Sequence, residues 1–164
     1  MSSIVNNLIE YIGINDDFPF DYSVSIFKEF MIQEHIKLNE SLPSIEQIIR
    51  VSLCVEVTNY YEIDTPISST DENCRIINPS GQTLTGKKII IDGIIHLTIQ
   101  YVANNCEQTV HSVEYDTYFS NYAVIPNNSN KTHYIVRPYV EDISVEDIGE
   151  RDIITCVTIF LEVQ

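Results

Sequence analysis

From Phe30 onward, apolar and polar positions alternate with a period of two over most of the chain. Phe30, Ile32, Ile36 and Leu38 fall on one side, and Glu29, Gln33, Lys37 and Asn39 on the other, as a strand with one buried face requires. Val51, Leu53, Val55 and Val57 repeat the pattern opposite Ser52, Cys54, Glu56 and Thr58, and it extends through Tyr61 and Ile63 to Pro66. Ile95, Leu97, Ile99 and Tyr101 then alternate with His96, Thr98 and Gln100. A polar loop over 104–108 separates that run from a return strand carrying Val113, Tyr115 and Phe119, which stops before Pro126; the two runs predict a β-hairpin. Two further elements follow, His133–Val145 and Arg151–Val163. In the last, Ile153, Val157, Ile159, Leu161 and Val163 alternate with Ile154, Cys156, Thr158, Phe160 and Glu162, so its second face is partly apolar too.

The breaks in this alternation predict the remaining elements. Pro43 or Ser44 can open a short helix through Ile45, Ile48 and Ile49, because proline suits a first helical turn. Leu8, Ile9 and Ile12 are spaced for another short helix, ended by Gly13. Residues 67–86 are mainly turn chemistry, with Arg75–Ile77 the one short edge strand there. Gly93, inside a strand, predicts a bulge or a bend. The expected fold is all-β: an antiparallel β-sandwich or barrel-like domain over 28–164 with one short helix. Residues 1–27 form an N-terminal arm or extension, suited to pairing with a neighbouring subunit as an added strand.

A chain of 164 residues with 44% hydrophobic and 20% charged residues can bury a full core. The net charge of −15 changes the functional picture more. It repels nucleic acid, offers no basic stripe to release counterions, and disfavours anionic membranes. No apolar run approaches the roughly 20 residues of a membrane helix. Met1–Leu8 lacks a basic segment followed by a long apolar one, so no signal peptide is expected. Synthesis in the cytoplasm follows from that, and with it cysteines that need not be paired.

Little in the chain suggests catalysis. Cys54, Cys74, Cys106 and Cys156 lack CxxC or CxxH spacing, so no structural zinc site is indicated. They remain candidates for intersubunit disulfides or cross-links, Cys74 and Cys106 from loop-like surroundings, Cys54 and Cys156 from the side opposite the apolar face. His35, His96, His111 and His133 lie on separate segments, none at ligand spacing. No G-x-S-x-G elbow or glycine-rich phosphate loop occurs. The densest acidic stretch, with Glu141, Asp142, Glu146 and Asp147, offers calcium weak candidates only, since it lacks the EF-hand order. No cofactor and no catalytic residue is expected.

The order of these pieces resembles the SPOCS domain family of spore-coat-associated proteins from Bacillus and Clostridium relatives. The resemblance is carried by Pro43-Ser44-Ile45-Glu46-Gln47-Ile48-Ile49, Asp92-Gly93 leading to Ile99-Gln100-Tyr101-Val102, and Val110-His111-Ser112 with Glu114. Phe119 before Val124-Ile125-Pro126, Tyr139-Val140-Glu141-Asp142-Ile143 and Arg151-Asp152-Ile153 complete it. It implies a non-enzymatic structural protein, made in the mother-cell cytoplasm and deposited on the spore surface, in coat or exosporium. Its partners would be itself, as a homo-oligomer, and other spore-coat proteins. The aromatic residues of the hairpin, Tyr115, Tyr118, Phe119 and Tyr122, are the candidate interaction surface. Two alternatives stay open: a monomeric adaptor linking other coat morphogenetic proteins, and a carbohydrate- or calcium-binding β-sandwich.

Overall fold

The structure is a computed structural model that describes residues 3–6, 8–15, 26–68, 76–79, 81–126, 129 and 133–164. Eight strands run in chain order as β1 (Ser3–Asn6), β2 (Ile9–Ile12), β3 (Ile26–Lys37), β4 (Ile45–Ser68), β5 (Thr85–Ala103), β6 (Val110–Val124), β7 (Val136–Asp147) and β8 (Asp152–Val163). They form a five-stranded sheet in the order β1-β2-β4-β5-β6 and a three-stranded sheet in the order β3-β8-β7. The sheets pack face to face as a sandwich, with β7 against β4 at one side and β3 against β6 at the other. All pairings are antiparallel except β2 with β4, which is parallel.

The predicted alternation is the burial pattern. Along β5, Ile89, Ile91, Ile95, Leu97, Ile99 and Tyr101 are buried, and along β8 so are Ile153, Val157, Ile159, Leu161 and Val163. Together with Val51 and Leu53 of β4 they make one apolar core between the layers. Tyr101 is wholly buried, and its hydroxyl donates to the Pro43 carbonyl at 3.1 Å, so the polar tip is satisfied.

Two expected helices are strands instead. Ile45–Ile49 belongs to β4, whose register slips between Ile45 and Gln47 and again between Ile48 and Arg50. Each slip adds one residue, so the buried positions Ile45, Ile48 and Val51 fall three apart. Two consecutive bulges thus imitate one face of a helix. Leu8–Gly13 likewise contains β2, and no described residue is helical. Here the i, i+3 pair, Ile9 and Ile12, marks the two ends of one four-residue strand, and Leu8 lies in the turn before it.

β1 and β2, ahead of β3, belong to the larger sheet. Tyr11 on β2 is buried in the core, and Glu10 Oε2 accepts from Arg50 Nε at 2.7 Å across the parallel pair. Gly13 has φ +113°, and a Cβ there would collide with the Leu53 backbone, so only glycine lets the chain leave β2 so close to β4. Of the expected edge strand Arg75–Ile77, Arg75 lies outside the described residues. Ile77 makes one isolated bridge to Thr83.

Gly93 is a close-approach site and not itself a bulge. β5 and β6 stay in one register through it, and the slip lies opposite, on β4 between Val57 and Asn59. A Cβ on Gly93 would overlap the ring of Phe119 and approach the Glu56 carbonyl oxygen. The missing side chain makes room for Phe119, which is buried and stacks obliquely on Phe30 of β3, ring centroids 5.3 Å apart. That contact fastens the β3–β6 side of the sandwich.

Candidate interaction surface and exposed thiols

The β5–β6 hairpin divides the candidate aromatic surface in two. On an antiparallel strand, odd and even residues face opposite ways, so Tyr115 and Phe119 turn inward, where Tyr115 packs partly against the core. Burial pushes the Tyr115 phenol above its ordinary pKa. Tyr118 faces solvent and is 74% exposed. Tyr122 is half-buried, with the Lys88 ammonium 4.1 Å and the Lys28 ammonium 5.7 Å from its ring centroid. Of the four, Tyr118 alone presents its ring freely.

The strand carrying Tyr118 is an edge of the larger sheet. β6 runs for 15 residues beside β5 without a register shift. By contrast, β7 is interrupted between Val140 and Asp142, and Asn15 caps that interruption. The Asn15 N–H donates to the Val140 carbonyl at 3.1 Å, and Asn15 Oδ1 accepts the Val140 N–H at 2.8 Å. A bulge with its backbone groups satisfied blunts an edge; a long regular strand leaves one available.

On the outer face of the hairpin, His96 is held between two carboxylates. Asp116 Oδ1 lies 2.7 Å from Nδ1, and Glu56 Oε2 lies 3.7 Å from Nε2. The hydrogen bond with Asp116 raises the His96 pKa above its ordinary 6.5; desolvation opposes the rise, and the charges of Asp116 and Glu56 add to it. The groups facing the ring are Cys54 and Glu56 from β4 and Asp116 from β6. Because the folded pKa lies above the unfolded one, this contribution to stability is complete below pH 6.5 and is lost as pH rises through the raised value. An NMR titration is expected to place the His96 midpoint above 6.5, and Asp116→Asn to bring it back down. An unmoved midpoint in the variant would contradict the assignment.

The cysteines are dispersed. Cys54 is exposed on β4, Cys106 is exposed in the hairpin loop, and Cys156 is half-buried on the outer face of β8. Cys74 lies outside the described residues. No two of the three described thiols are joined. They lie on both outer sheet faces and in a loop.

The acidic candidates are not gathered into a metal cage. Glu141 is the extra residue of the β7 bulge and Asp142 follows it, both exposed. Glu146 and Asp147 line an open cleft of about 330 Å³ with Ile9, Glu46, Gln47, Ile48 and Val145. The Glu46 carboxylate there is already engaged by Gln108 Nε2 at 3.0 and 3.1 Å. Among the described residues no cluster of three or more His, Cys, Asp or Glu could hold a metal ion.

A second exposed surface, on the partly apolar outer face of the last strand, lies on the outside of the smaller sheet. Phe27 stacks on Phe160 with centroids 5.5 Å apart, Phe160 meets Tyr139 at 6.4 Å, and Met31 nearby is 61% exposed. The aromatic row became legible only once β3, β8 and β7 were aligned.

Comparison with curated proteins and with solved structures finds no match to the chain. A family model does match: the model described as SipL, SPOCS domain covers residues 44–148, from the start of β4 to the end of β7. That span is well over half of the 164 residues and contains the whole β5–β6 hairpin. The chain belongs to the SPOCS domain family, the domain found in SipL, and so to a group of sporulation-related proteins.

Proposed function

We propose that this protein is a non-enzymatic structural component of the bacterial spore surface, in coat or exosporium, that assembles with copies of itself and with other coat proteins. Membership of the SPOCS family supports the setting. The observation that carries the assembly reading is the edge of β6: fifteen residues in unbroken register, unblocked by proline or bulge, with Tyr118 projecting beside it. Such an edge accepts another strand through backbone hydrogen bonds, and an exposed aromatic anchors the added segment.

Charge sets the condition. With −15 on each copy, self-association is opposed at low ionic strength, where the Debye length is about 30 Å, and is released near 0.15 M, where it falls to about 8 Å. Negative-stain microscopy of the purified protein is expected to show multimers that grow with added salt, with reductant changing their size or persistence. Tyr118→Glu should abolish them while leaving the melting temperature nearly unchanged, since the side chain is mostly in solvent. A monomer at every salt concentration that captures a basic coat protein would favour the adaptor reading, for which the same negative charge is the supporting observation.

A further inference from the structure

Three strands place a thiol, an imidazole and a carboxylate in one row. In the β4–β5 register Cys54 stands opposite His96, and in the β5–β6 register His96 stands opposite Asp116. Directly opposed residues on one face have Cβ atoms about 4.5–5.5 Å apart, within side-chain reach. We propose that Cys54 is a nucleophilic thiol that exchanges with disulfides, with His96 accepting its proton and Asp116 orienting the imidazole. The proposal does not depend on the assembly reading above.

The tautomer follows from the contacts. Asp116 Oδ1 at 2.7 Å accepts a hydrogen bond from Nδ1–H, so the neutral ring presents the Nε2 lone pair toward β4. Glu56 Oε2 lies 3.7 Å from Nε2 and favours the charged ring, so it shares the β4 side of the imidazole with Cys54. On that strand Cys54 offers an S–H, in the order nucleophile, base, carboxylate. Asp116 also makes the ring a stronger base, since it holds the His96 pKa up.

The surroundings select the chemistry. β5 is flanked by β4 and β6 along this row, so its backbone N–H groups are committed to the sheet and none is left to stabilise an oxyanion. Disulfide exchange requires no oxyanion hole, only an accessible sulfur, and Cys54 is exposed. The S–H proton passes to Nε2 as the Cys54 sulfur attacks one sulfur of the incoming disulfide. The old S–S bond breaks as the new one forms, and the departing thiolate takes a proton from the imidazolium or from water. Neither of the other described thiols has an imidazole opposite it: Cys156 faces Gln33 and Ser144, and Cys106 lies in a loop. Glu56 on the same face of β4, with Asp116 and Glu114 across β5 on β6, disfavours anionic reagents, so the ligand class is a neutral or cationic disulfide.

The test is the rate of reaction of the full chain with 4,4′-dithiodipyridine, alongside Cys54→Ser, Cys106→Ser, Cys156→Ser, His96→Gln and Asp116→Asn. The fastest phase should vanish only in Cys54→Ser and slow about tenfold or more in His96→Gln. Its pH profile should inflect with the His96 titration, and the inflection should move to lower pH in Asp116→Asn, a shift that a merely structural role would not produce. Cystamine should react faster than oxidised glutathione. Cys54 reacting no faster than Cys106, or a pH profile untouched by His96→Gln in a protein with native circular dichroism, would overturn the proposal. Equal rates for the two small disulfides would overturn the charge preference.

Discussion

Replacing Gly93 by alanine is expected to destabilise the domain by about 3 kcal/mol, the upper range for forcing extra volume into a packed core. For a chain of this size that lowers the melting temperature by roughly 6–12 °C. The new methyl would meet two groups that cannot easily yield. One is the Phe119 ring, buried and held against Phe30; the other is the Glu56 carbonyl oxygen, fixed in the β4 ladder. Trimming the ring tests which dominates. With Phe119→Leu in the same chain, the combined loss should be about 1 kcal/mol smaller than the sum of the two single losses, because shared contacts couple. A Gly93→Ala protein melting within about 2 °C of the unaltered one would mean that the ring swings aside at little cost.

That position shows how far the sequence could be read. A glycine within a strand announced an irregularity, but the partner strand that carries the slip and the ring that fills the gap depend on the pairing of β4, β5 and β6. Alternation made β3, β5, β6 and β8 legible, since one face of each meets the core and the other meets water. It failed where backbone geometry changed the period. The two slips between Ile45 and Arg50 turned a strand into a helix-like spacing, and β2 is too short to display any period. Its parallel pairing with β4 leaves no sequence mark at all.

The same limit applied to the surface. Alternation alone separates Tyr118 from Phe119, yet a list of aromatics in one strand reads as a single patch until parity is applied. The row from Cys54 through His96 to Asp116 was out of reach, because its members are 42 and 20 residues apart and only the register brings them level. The positions that carry chemistry between strands are thus those that a one-dimensional pattern cannot show.

A fragment limited to residues 44–148, the span of the family match, is expected not to fold. It keeps β4 to β7 but loses β3 and β8, and β8 is the strand that joins β3 to β7 in the smaller sheet. Without it, β7 has no partner in its sheet, and the inner face of the larger sheet loses its cover. The loss is large in energetic terms. Ile153, Val157, Ile159, Leu161 and Val163 are almost wholly buried, and burying such side chains contributes about 1.5–3 kcal/mol each. Together they contribute on the order of 10 kcal/mol, as much as the net stability of a whole domain. Tyr11 and Ile26, also buried, lie outside the fragment as well. The fragment should therefore show no cooperative thermal transition and should bind a hydrophobic dye, whereas residues 1–164 melt in a single step. A cooperative melt from 44–148 alone would show that β7 docks onto the larger sheet without β8, and that the sandwich is not the unit of folding.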